Sequence, residues 1–432
     1  MAWKLPHERL EKKFEDKKPL YTKAEALVEA HRCLFCHDAP CIKSCATAID
    51  IPGFIKQIAH GNMRGAAHTI LSANMLGASC AQVCPVEVMC AGSCVLNDLN
   101  ETPIAIGRLQ RYATTEGLRD EVQSQRKLFT PRPAVGKKVA LIGSGPASLA
   151  CAGYLALAGV KAVVFERDEL PGGLNTTGVA PYKLVSDDAL REVGWILSHG
   201  VELKCGVALG KDITVDQLLD DYDAVFLGLG LGRDRSLGIP GEDADGVWGA
   251  TFLIRAIKHH ASFTIGEHVR QIAVVGAGNT AIDIARELAE LTAAEVIMVY
   301  RRSRGHMSGY AHEMKQATQS GVRFMENARP VAIESADGQV TGLRVAVPEG
   351  SYTVPCQWVV QAVGQERIAA TMDLGVAFDS HGRIVADEHR RTSHPRVYAG
   401  GDCVNGGREV VNAAADGRIA AYAMLASWGL DY

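Results

Sequence analysis

The sequence predicts an α/β protein with a helical, cysteine-rich domain at the front, followed by two nested Rossmann-like units. Three observations carry that prediction. Eight of the twelve cysteines fall within the first 94 residues. A pattern of strand, glycine turn, helix and strand occurs twice, at residues 137–167 and 270–302. A third strand, ending on Gly400-Gly401-Asp402, returns near the C-terminus.

The front begins with MAWKLPHERLEKKFEDKKPL, which is charged throughout and has no apolar core. It does not read as a signal peptide, and a cytoplasmic location is expected. RCLFCHDAPCIKSC then places Cys33, Cys36, Cys41 and Cys45 within fourteen residues, and Cys80, Cys84, Cys90 and Cys94 follow. Disulfides are rare in a reducing compartment, where dense cysteine patterns bind metal or do redox work. Taken alone, C-x2-C-x4-C-x3-C followed by C-x3-C-x5-C-x3-C admits two structural zinc sites as well as two iron–sulfur clusters. The remaining Cys151, Cys205, Cys356 and Cys403 are scattered and read as packing residues. SQRKLFTPRPAVGKK, with Pro131 and Pro133, reads as the linker to the body.

Composition excludes several classes. The 432 residues are 47% hydrophobic and 22% charged with a net charge of −4, an ordinary globular balance without a basic footprint for nucleic acid. Residues 139–165 imitate a membrane span, with only Lys161 charged. Gly143, Gly145, Pro146, Gly153 and Gly159 divide that stretch into strand, turn, helix, turn and strand of normal length.

In the first repeat, KKVALIGSGPASLACAGYLALAGVKAVVFER, the fingerprint is Gly143, Gly145 and Ser148, and Glu166 ends the second strand. In the second, RQIAVVGAGNTAIDIARELAELTAAEVIMVYRR, it is Gly276, Gly278 and Ala281, and Arg301 and Arg302 end the strand. The first glycine permits a tight turn, the second lets the backbone approach a pyrophosphate, and a small third residue lets the helix pack close. Each copy lies between a predicted strand and helix, which makes the pair far more specific than a lone fingerprint. Glu166 suits the ribose hydroxyls of FAD or NAD, whereas Arg301 and Arg302 suit the 2′-phosphate of NADP. The strand–Gly–Asp unit at Asp402, followed by a helix opening near Glu409, completes a flavin half. Because this unit returns to the first repeat, the second repeat is expected to be inserted, with crossings at AVFLGLGLG (224–232) and WVVQAVGQE (358–366). A flavin beside a nicotinamide site turns an electron pair into single electrons, the traffic that iron–sulfur clusters carry. That context favours clusters over zinc.

RCLFCHDAPCIKSC, NMLGASCAQVCPVEVMCAGSC and PIAIGRLQRYAT resemble the N-terminal cluster domain of dihydropyrimidine dehydrogenase, and the likeness continues through its FAD and NADPH domains. The chain is similar to the flavin subunit of the bacterial two-subunit enzyme and, more distantly, to the glutamate synthase small (beta) subunit. The resemblance implies one 4Fe–4S cluster on Cys33, Cys36, Cys41 and Cys94, and a second on Cys45, Cys84, Cys90 and Gln110, with Cys80 outside both. It implies flavin contacts from Gly143, Gly145, Pro146, Ala147, Glu166, Gly173, Leu174, Lys183, Leu209, Asp402 and Val411. Nicotinamide contacts would come from Gly276, Ala277, Gly278, Asn279, Thr280, Arg301, Arg302, Ala362 and Gly364.

The expected division is residues 1–130 for the clusters, 131–234 with 367–432 for FAD, and 235–366 for NAD(P). The function implied is electron input. NAD(P)H reduces FAD, and electrons cross two clusters to an FMN- and iron–sulfur-containing barrel partner that reduces uracil or thymine. The general acid for that reduction is expected in the partner, and no catalytic residue in this chain. The alternatives are the small subunit of an NADPH-dependent glutamate synthase or a related NAD(P)H:acceptor oxidoreductase. A flavin disulfide reductase would require a closely spaced cysteine pair beside the flavin, and none occurs after residue 94.

Overall fold

The computed structural model describes residues 3–431. Up to residue 137 the described chain contains helices and no strand, the main ones being Lys23–His31, Ile51–Ala59, Met63–Ala73, Gly77–Val83 and Ile106–Ser124. Side chains set their starts. Thr22 and Glu25 form a reciprocal capping box on the first, while Asp50 and Asn62 accept the Gly53 and Gly65 amides on the next two. Ile51, Phe54, Ile55 and Ile58 put the apolar stripe of their helix into a core shared with Ile70, Leu109 and Tyr112. Gly117 allows the long helix to lie directly on Met63–Ala73, since a β-carbon there would fall 2.2 Å from the Ala67 Cβ.

Thirteen strands follow: β1 (Lys138–Ile142), β2 (Lys161–Glu166), β3 (Glu202–Cys205), β4 (Ala224–Leu227), β5 (Val247–Gly249), β6 (Gln271–Val275), β7 (Glu295–Val299), β8 (Arg323–Met325), β9 (Arg329–Ala336), β10 (Gln339–Val347), β11 (Gly350–Pro355), β12 (Trp358–Gln361) and β13 (Val397–Ala399). They form two five-stranded sheets, β13-β4-β1-β2-β3 and β5-β12-β6-β7-β8, and an antiparallel β11-β10-β9 ribbon. Every pairing within the two larger sheets is parallel. β13 closes the first sheet after the chain has built the second, so the two Rossmann-like units are nested. The expected crossings run side by side: the Gly232 amide donates to the Glu366 carbonyl, and the Glu366 amide to the Arg233 carbonyl.

The 139–165 stretch is β1, the helix Pro146–Leu157 and β2, and among the described residues no helix is long and apolar enough to cross a membrane. Cys151, Cys356 and Cys403 lie in apolar cores. The proline-rich segment between front and body is not a free linker. Leu128 is buried against Ala67 and Leu71, Phe129 stacks on His68 at 4.8 Å, and the Val135 amide donates to the Gly159 carbonyl. Its prolines punctuate the chain, but Leu128 and Phe129 still find a core.

Two ties fix the front to the first sheet's helices, and the N-terminal segment reaches both units. Glu192, on the helix Ser186–Leu197, accepts the Ala78 amide at 2.8 Å and also bonds Ser79, at the start of the helix Gly77–Val83. Arg418, on the last helix Val410–Ser427, donates to the Thr47 and Ala73 carbonyls. In the N-terminal segment, buried Glu11 accepts Ser186 of the first unit, Lys17 reaches Glu313 of the second at 2.6 Å, and Lys18 turns back to the Cys84 carbonyl at 2.7 Å.

Candidate functional site

A cavity of about 1270 Å³ lies between the two parallel sheets. From the first glycine turn and strand it is lined by Gly143, Gly145, Pro146, Ala147 and Glu166, and from later loops by Gly173, Leu174, Lys183, Leu209 and Asp402. Among the residues expected at the second nucleotide, Asn279 and Thr280 reach it. Val411 does not; its neighbour Val410 does.

The first turn is built to admit a phosphate. Gly143 has φ +82°, and a β-carbon on it would fall 2.5 Å from the Gly228 carbonyl oxygen, so only glycine fits. Gly145 caps the helix Pro146–Leu157, and a β-carbon there would meet only open space on the protein side. The helix therefore presents free amides and its positive end to an uncrowded surface, which suits a pyrophosphate. Glu166, buried at the end of β2, is fixed by the Ser144 amide at 2.7 Å, the Ser144 hydroxyl at 2.6 Å and the Asp168 amide at 2.9 Å. Asp402 follows the positive-φ Gly401; burial raises its pKa although the Arg408 amide bonds it. These donors and acceptors fit FAD.

The second turn is less open. Gly276 (φ +141°) packs on Ala362, whose carbonyl a β-carbon would approach to 2.3 Å, and Gly364 also has positive φ. Ala277 accepts the Gly309 amide, so the segment 308–310 covers this turn, and the Tyr310 amide bonds Asn279 Oδ1 at 2.9 Å. Arg301 and Arg302 lie exposed just beyond β7, outside the cavity, with no ion pair between either guanidinium and a carboxylate among the described residues. Two exposed arginines beside a strand end suit a dinucleotide phosphate lying at the surface.

A polar seam that the sequence did not reveal joins the two sheets' domains across the cavity. Lys183 Nζ lies 2.7 Å from Asp283 and 3.3 Å from Glu313, and the Tyr182 hydroxyl donates to Asp283 at 2.6 Å. Burial works against the Lys183 ammonium, but Asp283 and Glu313 outweigh it and raise its pKa. Tyr310 donates its phenol to Glu409 at 2.7 Å, and burial together with that bond pushes the phenol up to about 12. Asp283 and Glu313 follow the second fingerprint in sequence, but nothing local distinguishes them from solvated helix residues. Among the described residues, no cysteine lines this cavity.

The cysteines form two further pockets. Cys33, Cys36, Cys41 and Cys94 surround the first, with Leu34, Ile51 and Ile55 as its apolar wall. Cys45, Cys84, Cys90 and Gln110 surround the second, which Cys80 and Val411 also line. The structure thus brings each expected ligand set together, and it places Cys80 beside the second rather than away from it. Gln110 donates its amide to the Gly77 carbonyl at 2.7 Å, which leaves its oxygen as the donor atom for the pocket. All twelve cysteines are free. Burial, then the neighbouring sulfurs Cys33 and Cys94, pushes Cys41 up to about 11; burial, then Cys84 and Cys45, pushes Cys90 up to about 12. Thiols crowded this way need a positive group to become thiolates. Among the described residues no three His, Cys, Asp or Glu side chains could hold a single metal ion. Four donors around each pocket, three or four of them thiols, fit a 4Fe–4S cluster.

Comparison with known proteins agrees with this geometry. Residues 10–122 match the family described as dihydropyrimidine dehydrogenase domain II, 4Fe-4S cluster, and residues 137–417 match pyridine nucleotide-disulphide oxidoreductase. The chain is 35% identical to the glutamate synthase [NADPH] small chain of Escherichia coli K12, over 93% of this chain and 91% of that one. It is 33% identical to the NAD-dependent dihydropyrimidine dehydrogenase subunit PreT of Escherichia coli O157:H7, over 94% and 95%. These identities are too close to place the glutamate synthase chain as the more distant relative. Among solved structures, Lactococcus lactis thioredoxin reductase superposes with a TM-score of 0.55 at 25% identity, covering 68% of this chain and all of that one. Mycobacterium tuberculosis FprA in complex with NADPH superposes at 0.56 and 19% identity, over 70% of this chain and 87% of that one, a likeness of fold. The chain belongs to the pyridine nucleotide-disulphide oxidoreductase family, with an N-terminal 4Fe-4S domain of the dihydropyrimidine dehydrogenase kind.

Proposed function

We propose that this chain is the electron-input subunit of a dihydropyrimidine dehydrogenase, oxidising NAD(P)H for an FMN- and iron–sulfur-containing barrel partner that reduces uracil or thymine. Residues 1–130 hold two 4Fe–4S clusters on the two ligand sets, residues 131–234 and 367–432 hold FAD, and residues 235–366 bind the nicotinamide coenzyme. The observation that carries the reading is the adjacency of the pockets. Val410 and Pro85 line the large cavity, while their neighbours Val411 and Cys84 line the second cysteine pocket.

When bound, FAD accepts an electron pair from a reduced nicotinamide and releases electrons singly, and clusters carry single electrons. The residues of this chain bind and orient. Gly143 and Gly145 admit the pyrophosphate, Glu166 takes the ribose hydroxyls, and Asp402 takes the ribityl chain. Lys183, fixed by Asp283 and Glu313, keeps a positive charge at the cavity wall. Val411, buried at the second cysteine pocket next to Val410 at the large cavity, would keep water from the gap between the two groups. No side chain here needs to move a proton to a pyrimidine; that acid belongs to the partner.

Anaerobically purified protein should contain about one FAD and about eight iron atoms per chain. Stoichiometric zinc instead of iron would overturn the cluster assignment. Alone, the chain should oxidise NAD(P)H with an artificial one-electron acceptor and show no uracil-dependent turnover, which the barrel partner should confer. Uracil reduction by the isolated chain would overturn the subunit reading. One observation supports a second reading as a glutamate synthase small subunit: the 35% identity to that chain. The same reconstitution with a glutamate synthase large subunit separates the two.

A further inference from the structure

Lys18 is buried, with 9% of its surface exposed, although it lies in the charged N-terminal segment. Its ammonium donates to the Cys84 carbonyl at 2.7 Å and lies 3.5 Å from the Ala81 carbonyl, at the end of the helix Gly77–Val83. Those last carbonyls have no partner within their helix, and a cation there meets the negative end of the helix dipole. Among the described residues no carboxylate pairs with Lys18. Asp16, two residues away, takes the Lys18 backbone amide and pairs with Arg111. A buried ammonium without an anion is costly. The acidic groups within its electrostatic reach are Cys84, then the half-exposed Glu87, then Cys90, while Lys17 opposes its charge. In the first pocket, burial and the neighbouring sulfurs raise the Cys33 and Cys41 thiols, with no cation among the leading causes.

We propose that Lys18 is a positioning residue whose charge raises the reduction potential of the cluster held by Cys45, Cys84, Cys90 and Gln110. The proposal rests on the reading that these four residues ligate a cluster. One-electron reduction adds one negative charge to a cluster, and a fixed positive charge nearby in a medium of low dielectric favours the reduced form. Gln110 adds to the asymmetry, because a neutral amide stands where the first set has a thiolate. With the ammonium included, the second site is two charges less negative than the first. The cluster beside the flavin cavity thereby becomes the readier electron acceptor, and Lys18 holds its charge rigidly because two carbonyls and the protein interior fix it.

The test is an anaerobic redox titration followed by electron paramagnetic resonance, with iron content measured on every sample. Lys18→Gln removes the charge and keeps a hydrogen-bond donor, Lys18→Arg keeps the charge, and Lys18→Met removes both. Charge control predicts that Gln and Met lower the potential of one cluster by about tenfold in its one-electron equilibrium, about 59 mV, while the other cluster stays unmoved and Arg behaves as the unaltered protein. Gln and Arg both matching the unaltered protein, with Met alone shifted, would mean a hydrogen-bond role and overturn the proposal. So would equal shifts of both clusters, or no shift at full iron content. If Met fails to load iron, the Gln and Arg pair decides by itself. Two clusters present but unshifted defeat only the Lys18 assignment; an unaltered protein without a second cluster defeats the ligand reading as well.

Discussion

The two glycine turns share one sequence pattern and end in different sites. At the first, Gly143 and Gly145 open into the large cavity, and Glu166 is locked behind them by Ser144 and Asp168. At the second, Gly309 bonds across Ala277, and the acceptor at the strand end is replaced by two exposed arginines. The first arrangement encloses its ligand and the second presents a surface. A nested chain can thus use one motif to retain a flavin and to exchange a coenzyme, the difference coming from what lies beside the turn.

The sharpest way to break this comparison is to place one methyl group in each turn. Gly143→Ala combines a positive φ with a β-carbon 2.5 Å from a carbonyl, a cost of roughly 2–4 kcal/mol. The purified variant should lose its FAD absorbance and keep its iron. Gly278→Ala has only the Ser308 hydroxyl at 3.5 Å to meet, and it should keep its FAD. Flavin retained in the first variant would mean that this turn does not grip the pyrophosphate.

A smaller effect is expected from the arginines. Replacing Arg301 and Arg302 by alanine should cost NADPH about 2–3 kcal/mol, roughly 30- to 150-fold in kcat/KM for flavin reduction, with little change for NADH. Better use of NADH by the unaltered protein would leave these residues as a charged turn. Smallest is the bridge between the domains. Tyr310→Phe removes the bond to Glu409 and should change coenzyme kcat/KM by less than about tenfold, with FAD content unchanged. Loss of FAD in that variant would show that the bridge supports the flavin site itself.

The glycine turns, the strand at Asp402 and the crossings were legible because each rests on local geometry. A positive φ needs glycine, and a parallel strand reads as a short apolar run. The gathering of Cys45 with Cys84, Cys90 and Gln110 was not legible from spacing. It depends on how Ile106–Ser124 packs on the cysteine-bearing helices, and only the likeness to a known family pointed to Gln110. Lys183 was expected at the flavin, but its partners Asp283 and Glu313 sit about a hundred residues away or more, on the second unit. The charged first twenty residues showed no apolar core, yet Arg9, Glu11 and Lys18 are buried because the segment packs against Ser186, Glu313 and the Cys84 carbonyl. Local pattern cannot report a groove that distant elements create.

In the proposed function, coenzyme oxidation and electron delivery are separate tasks, joined at the second cysteine pocket. Anaerobic stopped-flow on Gln110→Leu tests it most directly. The change removes one side chain from that pocket and touches neither glycine turn. Flavin bleaching by NAD(P)H should proceed at the rate of the unaltered protein, while electron delivery to the proposed barrel partner falls at least about tenfold. Both rates unchanged, or both lost together, would contradict the account.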